Sequence, residues 1–145
     1  MSTRRREDLV VEVTHASKGL GVSVRGHELT IDETEKYGGH DAGANPVEHM
    51  LAGVASASVV VLGILGERDI AEVVCLKVSA TLNVDRVMGV DDGAAFDTVR
   101  LDWTVQDEEQ ADRLRKVLPV LAARRPGQAL VESAALVVEE IAVRP

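Results

Sequence analysis

Apolar and polar positions alternate through the first part of the chain. Leu9, Val11 and Val13 fall on one side of an extended backbone, and Leu20, Val22 and Val24 repeat the pattern after the polar break Ser17-Lys18-Gly19. A period of two marks a half-buried strand, so two strands are predicted here. Gly26-His27 supplies a two-residue turn into a third strand carrying Leu29 and Ile31, which makes a three-stranded meander. From Asp32 to Asn45 the chain is polar and glycine-rich, with Gly38-Gly39 and Gly43, and reads as a loop. Loops beyond ~12 residues are uncommon unless they serve a function.

At Asn45-Pro46 the period changes. Proline suits the first helical turn and the asparagine before it caps free backbone N–H groups, so a helix is predicted from Pro46 to about Gly66. After Glu48 and His49 it is apolar nearly all round, the pattern of a helix buried on every side. Gly53 with Ala57, and Ala52 with Ser56, stand at helical spacing and line one face with small side chains. Such a face admits a second helix closely, and a symmetric copy of the chain is its natural supplier. Alternation then returns, with Val74, Leu76, Val78, Ala80, Leu82 and Val84 on a core face and Cys75, Lys77, Ser79, Thr81 and Asn83 opposite. The Asp92-Gly93 region reverses the chain into Val99, Leu101, Trp103 and Val105, giving an antiparallel two-stranded ribbon. An amphipathic second helix begins near Asp107. Gln110 is placed for a capping box, and Ala111, Leu114, Leu118 and Leu121 form its apolar stripe. Pro119 predicts a kink or a stop. Arg124-Arg125-Pro126-Gly127 ends the element, and Ala135 to Val143 is a final strand. These elements define an α+β class in one domain over 1–145, with 1–7 frayed.

Composition narrows what such a domain does. Of 145 residues 46% are hydrophobic, enough for a real core, but only 2% are aromatic (Tyr37, Phe96, Trp103), so that core is aliphatic. The 24 acidic residues outnumber the 16 basic ones and leave a formal charge of -8, which repels a phosphate backbone and excludes nucleic acid as a partner. The cluster Arg4-Arg5-Arg6 runs straight into Glu7-Asp8 and reads as a solvated end. No apolar segment of signal type follows it, and the apolar stretch from Met50 to Leu65 is shorter than the ~20 residues of a membrane span, so a cytoplasmic protein without a membrane partner is expected. One cysteine, Cys75, makes neither an internal disulfide nor a CxxC pair, and four scattered histidines lack metal-ligand spacing. Neither a metal nor another cofactor is expected.

The segment from Gly38 to Ala57 places a glycine-rich loop before Asn45-Pro46, then Glu48, then the apolar helix, and Leu118-Pro119-Val120 lies on the later helix. In that order the two segments resemble the signature of the OsmC/Ohr family of hydroperoxide-detoxifying proteins, and the order of elements agrees along essentially the whole chain. The resemblance implies the OsmC-like fold, an intertwined homodimer and a thiol-peroxidase ancestry. It also places the peroxidatic cysteine eleven residues past the proline, at Ala57, and the resolving cysteine of a Cys-Pro-Val motif at Leu118, before Pro119. A methyl and an isobutyl group neither attack a peroxide nor form a disulfide, so the two-cysteine cycle cannot run there.

Other residues are candidates by the same resemblance. Glu48 matches the acid that in many members organises the pocket, although the Ohr branch carries its glutamate one residue earlier, where Val47 stands. By itself Glu48 is an acid in the first turn of a helix, favoured by the dipole. The family's peroxide-binding arginine comes from the N-terminal strand region, where Arg25 is the candidate; read alone, Arg25 is a solvated hairpin residue beside Gly26. Cys75 lies at neither family position, yet a lone cysteine can form a sulfenic acid that small thiols recycle; such a cysteine also reads as an inert small hydrophobe. His40 and His49 flank the expected pocket. Three functional readings follow: a homodimer whose pocket (Arg25, Glu48, Ala57, Leu118, Pro119) holds a small apolar ligand or hydroperoxide without conventional peroxidase activity, an unconventional reductase using Cys75, and a structural dimer with Leu118 filling the site.

Overall fold

The computed structural model describes residues 6–145, so the expected fraying of 1–7 falls partly outside the described residues; Arg6 and Glu7 are exposed and carry no regular structure. The chain groups into two compact units, one ending at His49 and one running from Met50 to Pro145.

The first unit holds an antiparallel meander of β1 (Glu12–His15), β2 (Leu20–Val24) and β3 (His27–Ile31), with Val13 opposite Val22 and Val22 opposite Leu29. The turn between β2 and β3 is Arg25-Gly26, one residue earlier than predicted. Both residues have positive φ, 51° and 82°, as a type I′ hairpin turn requires, and His27 already pairs with Val24. β1 begins at Glu12 and not at Leu9, because beyond Ser23 its partner strand runs into that turn. Leu9 and Val11, predicted to face a core, are 84% and 58% exposed; of the meander's apolar side chains only Val22 is buried.

After β3 the predicted loop contains one 3-10 turn, Glu35–Tyr37. Two of its glycines are required by close packing: a Cβ on Gly39 would overlap the backbone of Glu33, and one on Gly43 the carbonyl of Thr30. The loop ends in α1 (Pro46–Ile64). Asn45 Oδ1 accepts the Glu48 amide at 2.9 Å and Glu48 Oε2 accepts the Asn45 amide at 2.7 Å, a reciprocal capping box.

In the second unit α1 continues, followed by α2 (Arg68–Ala71), β4 (Cys75–Leu82), α3 (Val84–Val87), β5 (Phe96–Val105), α4 (Glu108–Arg124), α5 (Gln128–Glu132) and β6 (Leu136–Val143). The ribbon is part of a three-stranded sheet: β5 is central, antiparallel to β4 (Leu76 opposite Trp103) and parallel to β6 (Trp103 opposite Ile141). A parallel pair needs a crossover, which α4 and α5 supply. Val99, Leu101, Trp103 and Val105 are fully buried, with Ala111, Leu114 and Leu121 of α4 and Leu62 and Ile70.

Several expectations need correction. α1 is buried along a single stripe, Val54, Ser58 and Leu62, while Met50, Val60 and Ile64 are 48%, 61% and 74% exposed. An 18-residue window of its 19 residues has a mean hydropathy of 1.7 and is 22% buried, long and apolar enough to cross a membrane by length and composition, which the shorter stretch from Met50 to Leu65 understated. Val84 leaves the strand because Asn83 Oδ1 accepts the Arg86 amide and starts α3. Of the kink or stop expected at Pro119, the stop does not occur: α4 passes through the proline, which lies on the exposed face. Asp107 Oδ1 accepts the Gln110 amide at 2.8 Å, but Gln110 Oε1 accepts from Gln106 rather than from Asp107, so the box closes one residue early.

Candidate functional site

In the first unit the chemistry gathers around Asp32. Its carboxylate is buried and accepts three backbone N–H groups, from Glu33 (2.9 Å), His40 (2.9 Å) and Ala42 (3.2 Å). Burial pushes its pKa up, but the three amides and the His40 imidazole, whose Nδ1 is 3.8 Å away, outweigh that and hold it below the usual carboxylate range. A groove of about 390 Å³ opens beside it, with Leu20, Ile31 and Pro46 as apolar lining and His15, Tyr37 and His40 as polar or aromatic lining.

The sequence-predicted residues of this unit are not brought together. Arg25 occupies the hairpin turn and lines a separate depression with Asp8 to Glu12, Ser23 and Val24. Glu48 lines neither cavity, its carboxylate being engaged at the helix start. His49 is half-buried, and its Nδ1 lies 3.0 Å from the Asn45 carbonyl, toward which a protonated Nδ1 donates.

In the second unit Ala57 is half-buried on α1. Leu118 packs against the core of Leu62, Ile70, Trp103 and Leu114, so its isobutyl group is engaged in packing, while Pro119 is exposed. Cys75 is exposed at the start of β4, an edge strand, opposite Thr104.

Sequence reasoning missed a buried polar network in this unit. Arg125, whose side chain is 1% exposed, donates from Nε to Gln128 Oε1 (2.8 Å), from Nη1 to Ser58 Oγ and Glu139 Oε1 (3.3 Å each) and from Nη2 to Glu139 Oε2 (3.4 Å). Trp103 Nε1 donates to Glu139 Oε1, the oxygen that Arg125 Nη1 also reaches, at 2.9 Å. Ser58, next to Ala57, also donates to the Val54 carbonyl. A signal was present: Glu139 shares the phase of Ile141 and Val143 on its strand, and an acid in phase with core residues needs a buried partner.

No protein-family profile matches the sequence, and no curated protein matches it. Solved structures do. An OsmC-like protein from Mycoplasma pneumoniae superposes with a TM-score of 0.69 at 13% identity, covering 99% of this chain and 100% of its own. An OsmC-like protein of unknown function from Vibrio cholerae gives 0.70 at 13% identity, over 94% and 100%. An organic hydroperoxide resistance protein OsmC from Legionella pneumophila gives 0.64 at 14% identity, over 98% and 100%. The chain has an α+β fold of the OsmC-like class, along essentially its whole length, as the loop-Asn-Pro-helix order implied.

Proposed function

We propose that this chain is a cytoplasmic OsmC/Ohr-like homodimer that does not run a two-cysteine peroxidase cycle and binds a small apolar ligand at a pocket completed by the second copy. The observation that carries this reading is the pair Ala57 and Leu118 at the two positions where the motifs call for thiols, in a chain with one cysteine elsewhere. The exposed apolar stripe of α1 supports the dimer, because Met50, Val60 and Ile64 on one helix need a cover. Replacing thiols by alkyl groups favours an apolar ligand.

The exposure of Cys75 favours a second reading, a one-cysteine reductase. Its thiolate would attack the peroxide, release the alcohol and become a sulfenic acid, which two equivalents of thiol return to the free form. Consumption of an organic hydroperoxide, with a dithiol present, separates the two readings when run beside Cys75→Ser. No turnover in either protein is expected; turnover abolished by the substitution establishes the reductase instead. Thermal shift with medium-chain fatty acids and their hydroperoxides then tests the pocket. A rise in Tm is expected, and none with any of them removes the ligand from the proposal.

A further inference from the structure

The glycine-rich loop has an unusual centre. Successive backbone amides that converge on one point form an ordinary concavity for an anion. Here the amides of Glu33, His40 and Ala42 converge on Asp32, the residue that follows β3. The rest of the loop is laid over it. The Asp32 amide donates to the Ala44 carbonyl at 3.4 Å, Asp41 to Glu33 at 3.1 Å and Gly39 to Thr34 at 3.1 Å, while Asp41 sits in the left-handed region with φ 53°. Gly39 and Gly43 touch the strand end so closely that no side chain fits at either. The last loop residue, Asn45, is the cap of α1, and His40 and Tyr37 carried by the loop line the groove together with Asp32.

We infer that Asp32 is an internal anion filling an amide nest, and that it latches the loop from residue 33 to residue 44 shut, thereby positioning both the groove wall and the start of α1. Asp32 is a positioning residue: its two oxygens are engaged by the loop's own amides. This assignment is independent of which ligand the protein takes. Its two oxygens have distinct duties, Oδ1 holding Glu33 alone and Oδ2 holding His40 and Ala42. An isosteric amide, with one oxygen left, satisfies its two-amide side and gives up the other.

Amide hydrogen exchange followed by NMR on the full chain tests the latch. In Asp32→Ala the His40 and Ala42 amides are expected to exchange about tenfold faster or more, as loss of a charge-assisted bond implies. Gly93, whose amide is held by Asp91, serves as the internal control. In formate buffer, and not in chloride at equal ionic strength, the slow exchange returns, because formate takes the vacated nest. Asp32→Asn keeps the His40 and Ala42 amides slow and releases Glu33. The inference is overturned if His40 and Ala42 stay protected in Asp32→Ala, if formate gives no recovery, or if Asp32→Asn frees the same amides as alanine. Should the alanine variant fail to fold, the asparagine pattern decides alone.

Discussion

The most consequential single residue is Arg125, a guanidinium at 1% side-chain exposure facing Glu139 at 20%. Taking one partner from a buried pair strands the other charge, at a cost of about 3–5 kcal/mol. Arg125→Met is therefore expected to lower unfolding stability by about that much, read by urea denaturation with Trp103 fluorescence as the probe. Arg125→Met with Glu139→Leu recovers part of the loss, since no charge is then left stranded. A loss below about 1 kcal/mol in the single variant would make the pair a surface-type bridge. Asp32 makes a different prediction. Its folded pKa lies below the unfolded value of ~3.9, so its contribution is present above that value and is lost as pH falls through the folded pKa. Neutral and mildly acidic pH leave it intact, and Asp32→Asn should flatten the acid limb of a stability-versus-pH curve below ~4. At this scale the sequence was partly legible. Glu48 was recognisable as an acid at a helix start, whereas Arg125 reads as a turn residue in Arg124-Arg125-Pro126-Gly127, and its partners Ser58 and Glu139, 67 and 14 residues away, are not signalled by that local pattern.

At the scale of elements, period and cap chemistry carried most of the information. Asn45, Pro46 and Glu48 set the start of α1 to the residue, and Asn45→Ala is expected to cost about 0.5–2 kcal/mol, checked by thermal or urea unfolding. Gly39→Ala should cost more, because its Cβ meets backbone and not a movable side chain. The strands of the second unit were legible because their alternation is regular from Leu76 to Leu82 and from Val99 to Val105. The elements that escaped are short: α2, α3 and α5 span four or five residues, less than the length over which a helical period can be recognised. Of these only α3 has a side-chain cap, the Arg86 amide donating to Asn83 Oδ1, while α2 and α5 start without one. The hairpin turn lies one residue before Gly26-His27 because Arg25 takes the other positive-φ position, a conformation that a residue with a long side chain rarely adopts.

For the whole molecule the decisive quantity is apolar surface. Val60 and Ile64 on α1 are 61% and 74% exposed, and Leu9, Val10 and Val11 are 84%, 69% and 58%. A helix apolar on every side announced in the sequence that it needed covering, but not where the cover came from, since a single chain's pattern cannot distinguish its own core from a partner's. Sedimentation at micromolar concentration is expected to give a dimer, and Val60→Glu with Ile64→Glu to shift it to monomer or to insoluble material. A monomeric wild-type protein at that concentration would remove the dimer from the proposal. The peroxidase question belongs to this scale too: Cys75 is the one thiol in the chain, so no disulfide can form within a single copy of it.

The position of β5 between an antiparallel and a parallel neighbour has a consequence for how the protein is made. β4 and β5 can pair as soon as both have left the ribosome, but β6 follows only after α4 and α5. Until then β5 exposes a row of unsatisfied amides and carbonyls along an apolar strand, an edge of the kind that recruits other nascent chains. Burying Arg125 also waits for Glu139 on β6, so the late strand brings both the last ladder and the counter-charge. Ribosome-stalled chains ending before Leu136 should therefore be protease-sensitive and sticky, and those extending beyond Val143 compact.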